Sequence, residues 1–472
     1  MATPVADLYT AASGTDVFAG LFDPNNPPSQ RDVLLNLVAA AAPNTWVKAN
    51  TNTFQSAWVP DDFRSLYLNS FPQSPSRIIL AWSGFAWDNA RDRLILFGGG
   101  HANTNENSVY MWNAATRKWS IAFYPSDIIE TAPQRPVDGY ANAPTSAHPY
   151  ANQVYLPIRN RYVTFGGGSQ PGGSPWAFYD IATGALQRYI GCYTLDMSQA
   201  GTGKVGGTTG SNPHRGSSVG VNLPGAQAWK VRDWALDHPQ AATVVPRMVD
   251  HIDAWADVVQ ENGHDVIYLQ AGAAGQTNFA AFRVEVIDDD YHHDLISQVG
   301  RWVTGRGRCP SGCVNTARRL LLYPGYTSLP LCGWDLMTAS ATNDNFAVPT
   351  AGFSGAAVAT LDAAVNSNSG DGVALLYDAS RNRTVAFTWG GDVLDIRAPA
   401  SGPLTSGWTV TKLADASLPV RPQLPAEMGV DGITSINGKW RYARSLDVYM
   451  MLTHNLNGDI WLFKPAGWVD PR

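Results

Sequence analysis

Charged side chains are scarce here, 15% of 472 residues, against about 25% in ordinary globular chains. Long surface helices laced with ion pairs are therefore not expected. No stretch gathers Lys and Arg into a stripe, and the net charge is −6. That excludes the phosphate-neutralising surface on which nucleic-acid binding depends. Apolar runs long enough to cross a bilayer are missing. The longest candidate, Val33 to Ala42, reads as a short helix behind an N-cap at Ser29. The first residues, Met1-Ala-Thr-Pro-Val-Ala-Asp-Leu8, have neither the basic nor the apolar region of a secretory signal, so export is not expected. Four cysteines (Cys192, Cys309, Cys313, Cys332) are too few for a disulfide scaffold, though the last three are near enough in sequence for one bridge.

What the chain does have is aromatics and turn formers: 17 Trp, 18 Tyr, 16 Phe, 44 Gly and 31 Pro. These are residues of half-buried strands and tight turns. The segment Leu94-Ile-Leu-Phe-Gly-Gly-Gly100 matches Tyr162-Val-Thr-Phe-Gly-Gly-Gly168. Upstream, Trp87 to Arg93 corresponds to Tyr155 to Arg161, a strand and then a polar turn whose Arg precedes the next apolar run. Downstream, Val109 to Thr116 corresponds to Ala177 to Gly184. A third copy runs from Val373 through Arg383 to Gly391, with Trp408 placed as Trp119 is in the first. Looser copies lie at Val266 to Val284, Arg319 to Asp335, and Tyr442 to Phe463, which makes six.

Each unit is too small to bury its own apolar face, so the units must close into a ring. Glycine after the apolar strand suits a place where neighbouring backbones crowd. The last unit offers three strands, Ile433 to Ile436, Val448 to Thr453 and Ile460 to Phe463, while Thr45 to Asn50 reads as an orphan strand. The two ends are thus expected to share one blade. The predicted organisation is an arm over 1–44 that contains the helix, and a propeller over 45–472 with a long inter-blade insertion at about 192–246. Long loops of that kind often carry function.

These units resemble the kelch repeat, in which the second strand ends in Gly-Gly and later Tyr and Trp mark the outer strands. The resemblance is clearest around Gly98, Gly166 and Gly390, and it extends in fold to the central domain of galactose oxidase. It implies an all-β propeller, which with the six units found has six blades, a seventh being compatible with the family. It does not carry the oxidase chemistry. Copper there needs two Tyr and two His, with one Tyr cross-linked to a Cys, and no motif around His101, His148, His251, His454 or the Cys192-Tyr193 pair matches that site. No cofactor is expected.

Polar residues at expected strand starts form the candidate binding set on one face or channel: His101, His148, Asp250, His251, Asp371 and Asp431, with His454 and Trp334 added. The commoner reading of such residues is that they bond unpaired backbone groups and water. Trp82, Trp87, Trp334 and Trp389 are the rings that could stack on a sugar. Asp290, His292 and His293 alternate carboxylate and imidazole as a metal site would, although contiguous residues more often form a solvated turn.

The leading functional expectation is a non-enzymatic structural and binding propeller of a bacteriophage particle, on its tail or head surface. Such a protein would be present in several copies and contact other subunits or the host surface, including cell-surface glycan. The alternative is an extracellular propeller that binds or oxidises carbohydrate. Neither reading involves nucleic acid or membrane insertion.

Overall fold

The computed structural model describes residues 29–60, 63–64, 74–100, 104, 106–129, 135–169, 176–180, 182–208, 223–232, 254–271, 280–297, 311–326, 328–339, 346–367 and 372–472. They form a six-bladed β-propeller. Blade one is Ala86–Asp88, Arg93–Phe97, Val109–Asn113 and Lys118–Phe123. Blade two is Gln153–Leu156, Arg161–Thr164, Cys192–Asp196 and Trp229–Arg232. Blade three is Trp255–Glu261, His264–Ala271, Ala280–Ile287 and Asp290–Ser297, and blade four is Cys313–Asn315, Leu320–Tyr326, Leu329–Asp335 and Phe346–Val348. Blade five is Val373–Asp378, Arg383–Thr388, Val393–Arg397 and Trp408–Ala414, edged by a short parallel strand, Phe353–Ser354. Blade six takes Trp440–Ala443, Val448–Thr453 and Asp459–Lys464 from the end of the chain and its outer strand, Thr45–Lys48, from the beginning.

Thr45 pairs with Lys464 and Lys48 with Trp461, so the expected closure by both ends is present. No seventh sheet of this kind stands among the described residues. The outer strand of every blade carries an aromatic: Trp119, Trp229, Tyr291, Phe346, Trp408 and Trp46. A continuous apolar cluster fills each space between neighbouring blades.

Three sequence expectations need correction. The counterpart of Val109–Asn113 in blade two is Cys192–Asp196, not Ala177 to Gly184; Ala177–Tyr179 and Leu186–Tyr189 make a separate two-stranded hairpin. The stretch expected as an insertion from 192 to 246 therefore contains both outer strands of blade two, Cys192–Asp196 and Trp229–Arg232. In blade six, the inner strand is Trp440–Ala443, not Ile433 to Ile436, which crosses toward blade one through a bond from the Thr434 amide to the Leu80 carbonyl (2.9 Å). An apolar run is read equally well as a strand or as a buried crossing; the pairing partner decides.

The helix Gln30–Ala40 has Ser29 as its N-cap, its side chain accepting from the Asp32 amide. It lies outside the sheets but is docked on them. Leu34, Leu35 and Val38 join the cluster between blades five, six and one, and the Arg31 Nε donates to buried Asp92 at 2.7 Å. At its C-terminal end Lys464 Nζ donates to the Ala39 and Ala41 carbonyls, where a cation suits the helix dipole.

Candidate functional site

The innermost strand of each blade pairs on one side only, so six rows of unpaired N–H and C=O groups face the axis. Such groups must find partners if they are buried. At the start of the inner strands they find one another. The Phe85 amide donates to the Gly438 carbonyl (3.0 Å), the Tyr150 amide to Trp82 (2.7 Å) and the Ala256 amide to Ala151 (3.1 Å). The Leu375 amide donates to Ser311 Oγ (3.0 Å), and the Ser311 amide to Asn437 Oδ1 (3.4 Å). Gly84 and Gly438 permit this approach: a Cβ on Gly84 would lie 2.6 Å from the Gly438 Cα, and Gly438 has φ of +69°. These contacts draw the ring together at this end.

Toward the opposite face the inner strands leave an axial pit of about 360 Å³, lined by residues of all six blades. Its rim is Asn89, Pro157, Gln260, Thr316, Ala379 and Arg444. Five of the six inner hairpins at this face turn through a left-handed residue just before the second strand: Asp92, Asn160, Arg319, Asn382 and Asp447. Blade three instead turns through Asn262-Gly263, both with positive φ, as a two-residue hairpin prefers.

The turns are clasped between blades. Arg91 Nη1 donates to the Tyr155 hydroxyl (2.8 Å) and Asn160 Oδ1 (2.6 Å) of blade two. Arg381 Nη1 donates to Asp447 Oδ1 (2.9 Å) of blade six, where Tyr442 also donates to Asp447 (2.7 Å). Asp92, the corresponding residue of blade one, receives Arg31 from the helix. These bonds engage the hydroxyls of Tyr155 and Tyr442 that line the pit.

Two charged side chains stand inside. Arg441 reaches from blade six across the axis, Nη2 donating to the Ala151 (2.9 Å) and Gln153 (3.2 Å) carbonyls and Nη1 to Ala256 (3.3 Å). Asp257 of blade three accepts the Val258 amide (2.9 Å) on one oxygen and the Val314 amide (2.9 Å) on the other. Burial pushes the Asp257 carboxyl above its ordinary range, opposed first by Arg441. Burial pulls the Arg441 guanidinium down, opposed first by Asp257. Asp257 thus supplies acceptors to two inner-strand amides, and Arg441 supplies donors to the Gln153 and Ala256 carbonyls and adds one to the Ala151 carbonyl, which already accepts the Ala256 amide.

Neither residue was in the candidate set from sequence. A signal for Arg441 was available: aligned on the turn residue, it stands where Ala86, Val154, Cys313 and Leu376 stand in four other blades. Among the expected residues, His101, Asp250, His251 and Asp371 lie outside the described residues. His148 is 2% exposed, its ring against Trp82 and Tyr150 (centroids 5.2 and 6.2 Å) in a strand paired with Gly168. Asp431 sits in a short 3-10 turn ahead of the blade-six inner strand, and its carbonyl accepts from the Asn455 amide. His454 is a left-handed turn residue whose Nδ1 accepts the Asn457 amide (3.1 Å). Trp334, 1% exposed and packed 5.2 Å from Tyr323 between blades three and four, has no open ring face. Trp87 is also core, whereas Trp82 and Trp389 are half-buried. Asp431 and His454 are thus linked through the Asn455 amide, while the His148 and Trp334 side chains are packed in the core.

Asp290, His292 and His293 lie on the outer strand of blade three rather than in a turn; the turn is Asp288-Asp289. Asp290 and His292 are exposed, and His293 pairs with Val284 in the strand register. Among the described residues no three His, Cys, Asp or Glu side chains gather as a metal site would require. Cys313 is a buried free thiol packed between blades four and five; Cys309 lies outside the described residues.

No protein-family profile matches the chain, and no curated protein matches it. Solved structures are similar in fold at low identity. One is PorZ, an essential bacterial surface component of the type-IX secretion system of Porphyromonas gingivalis: 9% identity, TM-score 0.37, over 84% of this chain and 48% of that one. This chain thus spans about half the length of PorZ. A Dyadobacter fermentans protein of unknown function shares 11% identity (TM-score 0.35; 83% and 97% covered). A quinoprotein alcohol dehydrogenase-like protein of Bacteroides thetaiotaomicron shares 8% (TM-score 0.27; 70% and 66% covered).

Proposed function

We propose that this chain is a kelch-like propeller that works by binding rather than by turnover, as a structural subunit of a bacteriophage particle that contacts other subunits or the host surface. The observation that carries the binding reading is the chemistry of the pit. Arg441 is spread over three carbonyls and both Asp257 oxygens accept amides, so both charges hold the ring in shape. Docking elements are at hand outside the ring: the helix Gln30–Ala40, and the hairpin Ala177–Tyr189, on which Leu186 is exposed. The particle assignment rests on the low-charge, aromatic and Gly-rich β composition. Native mass spectrometry of the purified chain, with mass-spectrometric detection of it in purified particles, tests the proposal. A chain that is strictly monomeric and absent from particles overturns it.

A further inference from the structure

The charges lining the pit do not cancel. Two guanidiniums, Arg441 and Arg444, face one carboxylate, Asp257, although the whole chain carries −6. Arg441 and Asp257 do not form a direct ion pair; Arg441 bonds only to backbone carbonyls. Of its five N–H groups, three are engaged, and its Nε is buried with no hydrogen-bond acceptor. Arg444 stands exposed on the rim, and no side-chain partner holds it among the described residues. Both arginines act on Asp257 electrostatically, which puts all three in one neighbourhood. A concave, protein-walled site focuses such an excess of positive charge toward an incoming anion.

We infer that the pit binds a small oxyanion, a carboxylate or phosphate group on a molecule that fits about 360 Å³, held by Arg444 at the rim and drawn inward by Arg441. Guanidinium N–H groups match the oxygens of either group. The pit lies within the roughly 300–1,000 Å³ range of small-molecule sites. This deepens the binding reading and rests on it. Its test is separate, because particle residence is scored by the presence of the chain and oxyanion binding by titration.

Isothermal titration of the full-length chain with succinate and, separately, with inorganic phosphate decides it; the arm that binds identifies the source chemistry. Saturable binding of at least one is expected. Arg444→Gln, at an exposed position, is expected to weaken it about tenfold, the loss of one charge-assisted contact. Asp257→Asn, verified as folded by circular dichroism, is expected to tighten it by removing the opposing charge. Absence of binding by both anions up to on the order of 10 mM overturns the inference. So does binding that Arg444→Gln leaves unchanged, or that Asp257→Asn fails to strengthen.

Discussion

Closure by the two chain ends makes the first described strand a structural keystone, and Trp46→Ala tests this directly. Trp46 sits on the outer strand of blade six, yet its ring packs on Phe387 of blade five (5.9 Å between centroids) as well as on Trp440 and Phe463 of blade six (5.8 and 5.0 Å). Removing a fully buried Trp side chain costs about 3–5 kcal/mol. Area gives a similar figure: about 200 Å² of ring surface at ~25 cal/mol per Å² is about 5 kcal/mol, of which the alanine methyl retains a part. The expected loss is about 4 kcal/mol. Urea unfolding followed by far-UV circular dichroism measures it, with Leu186→Ala, on the exposed hairpin, as the neutral control. Limited proteolysis should cut the variant sooner between 45 and 60, because the strand that loses its anchor has a sheet partner on one side alone, Asp459–Lys464. A Trp46→Ala protein as stable as the Leu186→Ala control, to within about 1 kcal/mol, would refute the claim that the N-terminal strand locks the ring.

Arg381→Met should destabilise by about 3 kcal/mol in urea unfolding, since it strips Asp447 of its partner from blade five and also frees the Ala466 and Gly467 carbonyls. Arg381→Lys should recover only part of that, because an ammonium lacks the fork that spans both Asp447 oxygens. Gly438→Ala should prevent folding, judged by loss of soluble protein, because its Cβ would meet the Tyr150 carbonyl at 2.5 Å; Gly402→Ala, with φ of +87° but open space around it, should cost only about 1–2 kcal/mol. The Asp257 carboxyl has its folded pKa raised above 3.8, so its stabilising contribution is full below that value and declines as pH rises through the folded pKa. Wild type should accordingly gain stability relative to Asp257→Asn as the pH of the urea series is lowered toward 4; a pH-independent difference would contradict the burial of that charge.

The blades with the fullest local grammar were legible from sequence because the grammar is a turn. A polar residue able to take a left-handed conformation, followed by a basic or apolar residue and a run of strand formers, marks Asp92-Arg93, Asn160-Arg161 and Asn382-Arg383. The turn closes locally and carries its own signal. Membership of an outer strand does not. Ala177–Tyr179 has the apolar and aromatic character of a third strand, but Cys192–Asp196 takes the place beside Arg161–Thr164, because it brings Cys192 into the cluster with blade three and Tyr193 and Leu195 into the cluster with blade one. That choice is set by side chains far away in sequence. The pit was missed for a related reason. The candidate set consists of polar residues at expected strand starts, whereas Asp257 and Arg441 lie within inner strands, where alternation alone leads one to expect packing residues.

The position of the pit follows from how a ring of twisted sheets must satisfy its own axis. Where the inner strands begin, Gly84 and Gly438 have no side chains to hold the backbones apart, and main-chain bonds link blade six to one and blade two to three. Further along, twist separates the strands and the same groups are too distant to meet. Water would then be their only partner, unless long side chains cross the gap. Arg441 supplies donors to the Gln153 and Ala256 carbonyls, adding a third to the Ala151 carbonyl that the Ala256 amide already reaches, and Asp257 supplies acceptors to two amides. A guanidinium is suited to this because it offers five donors in a plane, more than any other side chain. Using it to satisfy neutral carbonyls, however, leaves its charge only partly balanced, since Asp257 stands near but not in contact. The positive excess at the centre of an acidic protein is in this sense a consequence of building the ring, and a binding function for small anions needs no further residue than Arg444 at the rim to make use of it.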